Sequence, residues 1–311
     1  MKGKHWVSRV LVGISALLVI LIFYQFTPYK GLHSASKPGE ETIDPAFLHV
    51  SETWADSVLN SLSMDERIAQ MIMIAAYSNN NDKNEQEVVK AIRSYNIGGL
   101  IFFQGSPYRQ AVLTNAYQEL AKTPMLIAMD AEWGLGMRLD STISYPRQMM
   151  LGAIKDEGII YDMGRQVAGQ LSRLGVHINF APVADINNNP ANPVINSRSF
   201  GEDRANVTSK AILYMRGMQD NGIIAVAKHF PGHGDTDTDS HYALPVIKHD
   251  MGRLDSLEFF PFRELINKGV AGFMIAHMYM PALDSTPDIP SSLSPVIVDT
   301  LLRQNLGFKG L

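Results

Sequence analysis

The sequence contains no cysteine. That absence excludes a disulfide scaffold, thiol catalysis, cysteine-ligated zinc and iron–sulfur clusters. An excess of charge is missing too. The chain has 27 basic and 31 acidic residues, a net charge of −4, which excludes a general nucleic-acid binder. No glycine-rich phosphate loop follows the first apolar burst, and there is no internal repeat or low-complexity tract. What is present is 311 residues, 46% of them hydrophobic, with 24 glycines and 16 prolines. Disorder and collagen are excluded by that composition, and one large core is affordable.

The first 30 residues form a separate object. They carry Lys2, Lys4, Arg9 and Lys30 and no acid, so the remainder has 23 basic against 31 acidic residues. Residues 10–24 are apolar apart from Ser15 and Tyr24. As a helix this run spans roughly 22 Å, short of the ~30 Å hydrocarbon core, and Gln25 and Phe26 make spanning marginal. A basic start before an apolar run predicts a signal peptide or N-terminal membrane anchor over 1–30. Ser34-Ala35-Ser36 is a small-residue cleavage candidate. Basic flanks before the run place the remainder outside the cytoplasm, periplasmic or secreted, with anchoring by residues 10–26 if the segment is retained. Residues 31–49, rich in Gly, Ser, Lys and Pro at their start, are expected to be a tether.

From residue 50 apolar bursts alternate with amphipathic stretches. Ser63 and Glu66 have the spacing of a capping box opening a helix. Strand-like bursts fall at 71–76, 99–103, 125–129, 177–182, 224–229 and 272–277. Helical stretches fall between them at 84–95, 110–121, 158–174, 204–221 and 254–267, with Gly269 as a C-cap. A last helix is expected over 296–303, opened by Ser294-Pro295 and closed by Gly307. Buried, non-alternating strands separated by helices predict a parallel sheet. Polar residues gather just past the strand ends: Asp130-Ala-Glu132, Asp185, Lys228-His229 and His277. That placement favours an α/β (β/α)8 barrel over a doubly wound sheet.

The densest polar stretch is residues 228–241, and its pattern is open to several chemistries. Asp235, Asp237 and Asp239 have the alternate spacing of a calcium loop, but Ser240 and Val246 stand where Gly and Glu are required. His229, His233 and His241 offer zinc ligands, though Pro231 and two glycines forbid a metal-binding helix. A solvated acidic loop is the plain alternative. Asp239-Ser-His241 also sets a carboxylate two residues from an imidazole, a pairing that fixes the ring tautomer for acid/base work.

This stretch resembles the signature of glycoside hydrolase family 3, in its β-N-acetylhexosaminidase branch. It matches K-H-F-P-G-H-G-D-T-x-x-D-S-H at every fixed position. Residues 62–71 resemble the family's opening helix, 98–102 its second strand, and Asp130-Ala-Glu132 with Arg138 its sugar-binding segment. Residues 179–185 and 198–201 resemble its fourth strand and the following loop. Trp133 and Leu135 depart from the glycine pair common after that Glu.

The resemblance implies a barrel domain over 50–311 that removes terminal β-linked N-acetylglucosamine with retention, without cofactor or metal. His241 is implied as the acid/base and Asp239 as its partner, while Asp130, Arg138, Arg198, Lys228 and His229 would hold the sugar. An N-acetylglucosamine-containing oligosaccharide or muropeptide is the implied substrate. The family's nucleophilic Asp follows the next strand, so it is expected beyond Leu311. The barrel is then expected to show six strands plus the start of a seventh, with an exposed apolar edge at the sixth strand and no activity in the 311-residue chain alone. A non-catalytic sugar-binding fragment or pseudoenzyme is the alternative.

Overall fold

The computed structural model describes residues 43–79, 81–238 and 243–311. The expected signal or anchor, most of the tether, Asp239 and His241 lie outside the described residues. Among the described residues no helix is long and apolar enough to cross a membrane. Residues 43–49, the end of the segment read as a tether, touch the body. Ile43 N donates to Asn267 O at 3.2 Å, and Lys309 pairs with Asp44 at 2.9 Å.

Helix α1 (Thr53–Ser61) leads into α2 (Met64–Ala69), which the expected capping box starts. Ser63 N donates to the Glu66 carboxylate at 2.9 Å, and Glu66 N donates to Ser63 Oγ at 3.2 Å. Strand and helix then alternate: β1 (Met73–Ser78), α3 (Asp82–Tyr95), β2 (Gly99–Gly105), α4 (Pro107–Leu120) and β3 (Leu126–Met129). After α5 (Gln148–Gly152) and α6 (Gly158–Arg173) come β4 (Ile178–Asn179), α7 (Arg204–Gln219), β5 (Ile224–Phe230), α8 (Phe260–Asn267) and β6 (Gly272–Ile275).

All six strands are parallel and lie in one sheet in chain order. A doubly wound sheet reverses direction at a switch point. This one never does, so it is the winding of a (β/α)8 barrel's first six strands, held as an open sheet. Ala128, Ile178 and Val226 form a buried cluster, packed against Met73, Ile101 and Phe180. On the helix side α6 and α7 meet through glycines: a Cβ on Gly217 would sit 2.2 Å from the Tyr161 carbonyl oxygen.

Three local departures have physical causes. The expected strand over 177–182 forms a regular ladder only at Ile178 and Asn179, and Pro182, which has no N–H, cannot extend it. The expected helix over 254–267 is a widened turn, Leu254–Glu258, followed by α8, which restarts at Pro261 in its first turn. The sixth strand ends the open sheet as expected, but its start is covered. Leu311 N donates to Ala271 O at 2.8 Å and Phe273 N donates to Leu311 O at 3.0 Å, the start of a seventh ladder. Exposed apolar side chains gather instead before β1, where Met71 is 87% and Ile72 46% exposed. The last helix, Val296–Asn305, is present as a π-type helix, with Ser294 Oγ accepting from Ile297 N and Gly307 at φ +73° beyond it.

Candidate active site

Two strands deliver the site. β3 ends at Met129, so Asp130 and Glu132 emerge from its C-terminal end on one side of the chain. β5 ends over Lys228 and His229. Lys228 is 2% exposed and spends its ammonium on both carboxylates, 2.8 Å from Asp130 Oδ1 and 2.7 Å from Glu132 Oε1. Arg138 holds the other Asp130 oxygen at 2.7 Å. Arg198, in the turn Asn196–Arg198, grips Glu132 with Nη2 at 2.7 Å and Nε at 3.0 Å, a two-pronged pairing only a guanidinium makes.

Asp185, fully buried after β4, holds the histidine side of the site. It accepts from His229 Nδ1 at 2.6 Å, and from the backbone N–H of His229 and, at 2.7 Å, of His233. Gly234 lets that loop pass close, since a Cβ there would lie 1.7 Å from Ile186 O. The Lys228–His229 peptide is cis.

Burial opposes charge on Asp130, Glu132 and Asp185, yet the neighbouring cationic and imidazole groups outweigh it. Lys228 holds Asp130 below the usual carboxylate range and Glu132 at about 2. Asp185 is also lowered, through His229. His229 is shifted down by burial despite Asp185, so the ring is neutral, with its Nδ1–H on Asp185. Its Nε2 then accepts from Arg198 Nη2 at 3.4 Å. The result is a rigid set of charged donors and acceptors.

These groups line a cavity of about 470 Å³ with Trp133, Met137, His233 and His277 on its walls. Two polar atoms among them, Arg138 Nε and His233 Nε2, are buried without a hydrogen-bond partner. A polyhydroxylated ligand presents donors and acceptors at the density such a wall needs. Among the described residues Asp130 and Glu132 are the only carboxylates on the wall, and both are committed to cations.

All five expected sugar-holding residues, Asp130, Arg138, Arg198, Lys228 and His229, therefore meet in one cavity. Asp239 and His241, expected as the acid/base pair, lie outside the described residues. The site list drawn from the sequence omits Glu132, Asp185 and His233. All three sat in stretches already singled out, but their partners are 66, 44 and 48 residues away and only the fold reveals them. Of the histidines considered as zinc ligands from the sequence, His229 turns Nδ1 to Asp185 and Nε2 to Arg198, His233 turns Nδ1 to Thr236, and His241 lies outside the described residues.

The sequence profile of the glycosyl hydrolase family 3 N-terminal domain matches residues 63–311. The chain is 36% identical over 248 residues to beta-hexosaminidase A of Pseudoalteromonas piscicida, covering 72% of this chain and 42% of that protein. A family 3 beta-N-acetylglucosaminidase of Paenibacillus sp. superposes with a TM-score of 0.75 at 38% identity, covering 80% of this chain and 48% of the other. The beta-glucoside phosphorylase BglX superposes with a TM-score of 0.80 at 26% identity, covering 86% and 50%. The chain thus spans about half the length of each of these proteins.

Proposed function

The chain belongs to glycosyl hydrolase family 3, and we propose on that premise that it is the barrel portion of a retaining β-N-acetylhexosaminidase acting on terminal N-acetylglucosamine. One observation carries the reading: Asp130, Arg138, Arg198, Lys228 and His229 converge on a single cavity at the C-terminal ends of β3 and β5. Barrel enzymes build their sites at that end. The ionised Asp130 accepts from sugar hydroxyls, Lys228 and Arg198 donate to them, and His229 offers a neutral ring edge.

In this reading a carboxylate beyond β6 attacks the anomeric carbon as the glycosidic bond breaks. His241, oriented by Asp239, gives its proton to the departing oxygen. It then takes a proton from water, whose oxygen displaces the carboxylate. The relatives named for N-acetyl sugars, together with the complete signature over 228–241, favour this over the glucoside chemistry of BglX. Muropeptide-like fragments outside the cytoplasm are the substrate the N-terminal 30 residues suggest. A phosphatase fusion after residue 50 tests the location by its activity.

Chromogenic N-acetyl-β-glucosaminide and β-glucoside, each with and without phosphate, test the reaction in the chain extended past residue 311. Release of N-acetylglucosamine by water is expected, lost in His241→Ala. Phosphate-dependent glucoside cleavage overturns the reading. Turnover by residues 1–311 alone, abolished by His241→Ala, overturns the placing of the nucleophile.

A further inference from the structure

Outside the sugar cavity, three side chains of different type converge. Asp235 follows Gly234, His249 precedes the turn Met251–Arg253, and Glu258 ends the widened turn before α8. One ligand atom from each lies within 4.8 Å of the other two. His249 Nε2 is in direct hydrogen-bonding contact with Asp235 Oδ2. Arg253 reaches both carboxylates with a single nitrogen, at 3.4 Å from Asp235 and 3.3 Å from Glu258, the outer limit of a hydrogen bond.

Glu258 is the informative member. It is 4% exposed, and its Oε1 takes Asn188 Nδ2 and Arg253, both at 3.3 Å. Its Oε2 is buried with no hydrogen-bond partner. A carboxylate oxygen stripped of water and left unpartnered is costly, and the cost disappears if a cation binds there.

We propose that Asp235, His249 and Glu258 form a site for a divalent transition-metal cation, zinc by preference, with water completing the coordination. Two carboxylate oxygens and one imidazole nitrogen are zinc's ordinary oxygen and nitrogen donors. Calcium and magnesium fit less well, since they demand six or more oxygens or a near-ideal octahedron. His249 and Asp235 side chains are 35% and 20% exposed, which leaves an open face for entry and for the water. Arg253, 37% exposed and held only by long contacts, is the cation that stands in when no metal is bound, and it swings out on binding. Asp235 and His249 also bracket Asp239 and His241 in sequence, so the ion ties together the two ends of the segment that carries them. None of the three ligands lines the sugar cavity. The site is therefore independent of the glycosidase reading.

Zinc and cobalt(II) titrations of the full 311-residue chain, stripped with a chelator and followed at pH 7.5 against a chromogenic competitor, test it. One equivalent is expected to bind, with the cobalt visible bands of an oxygen- and nitrogen-ligated site. His249→Gln and Glu258→Gln should each weaken binding roughly tenfold or more. Arg253→Gln should tighten it several-fold by removing the competing cation. Histidine ring NMR of the unmodified chain supplies a readout that needs no variant, since zinc should shift His249 and leave His229 in place. No stoichiometric binding, binding indifferent to both ligand substitutions, weakening by Arg253→Gln, or a zinc-induced shift at His229 in place of His249 overturns the proposal.

Discussion

The sheet has a cavity at each end, and the two differ in everything but being cavities. At the N-terminal ends of β2, β3 and β4 lies one of about 650 Å³, walled by Trp54, Leu59, Leu62, Met125 and Leu126 with His177 at its edge. At the C-terminal ends of β3 and β5 lies the smaller one, about 470 Å³, walled by Asp130, Glu132, Arg138, Arg198 and Lys228. Volume and apolarity would pick the first as the binding site. Charge arrangement picks the second, because only there are buried charges held in fixed pairs where strand ends place them. The lower cavity is a gap left between helices and sheet; the upper one is built.

Breaking the upper network should have the largest effect. Lys228→Met leaves two buried carboxylates with one fewer cation. Stability should fall by about 3 kcal/mol, the low end for a broken buried pair because Arg138 and Arg198 remain. Denaturant unfolding measures the loss, and calorimetric binding of N-acetylglucosamine should vanish with it.

A matched pair of glycines separates packing from function. Gly98 lies at the lower end, where a Cβ would stand 1.8 Å from Gln70 O, and Gly234 at the upper end, 1.7 Å from Ile186 O. Alanine at either should cost about 1–3 kcal/mol through overpacking. Only Gly234→Ala should also weaken sugar binding, by about tenfold or more, since it displaces the loop held by Asp185. Equal effects on binding would erase the distinction between the two ends.

Acid should reach the buried histidines, His177 at the lower end and His229 at the upper, in one window and the upper carboxylates in another. His177 accepts from Ile127 N through Nδ1, and burial lowers its pKa, so the folded state resists its protonation. Stability linked to His177 is complete above the ordinary histidine range and declines as pH falls through about 6.5. Glu132 behaves as a depressed carboxylate: its contribution is complete above about 4.5 and is lost as pH falls towards its folded value of about 2. Unfolding free energy against pH should therefore show a first decline, made shallower by His177→Gln with the remainder due to His229, and a steeper second one that the substitution leaves in place.

The smallest effect belongs to Trp54, 62% exposed on the lower cavity wall. Trp54→Ala should change stability by less than about 1 kcal/mol and leave sugar binding untouched. A marked loss of binding would show that the lower cavity communicates with the upper.

Much of this was legible before any coordinates. The β/α alternation, the capping box at Ser63 and Glu66 and the parallel sense of the sheet follow from local pattern, because caps and apolar runs act over a few residues. The five residues expected to hold a sugar came through resemblance, and their convergence is a property of the fold. The partners were not legible. Nothing near Asp185 in sequence says that it would receive three N–H groups from the far side of β5, nor that Glu258, 70 residues from Asn188, would share its carboxylate with it. The breaks at Pro182 and Pro261 were visible as residues, but how each strand or helix yields depends on what the freed groups find instead.

Tyr214 of α7 is fully buried, and its hydroxyl reaches the Ala131 and Glu132 carbonyl oxygens at 3.1 and 3.2 Å. The outer helix layer thus holds the very backbone from which the carboxylates of the upper cavity spring. A substitution at Tyr214, itself out of reach of solvent, is transmitted to the aim of Glu132 as a rudder line transmits the turn of a wheel.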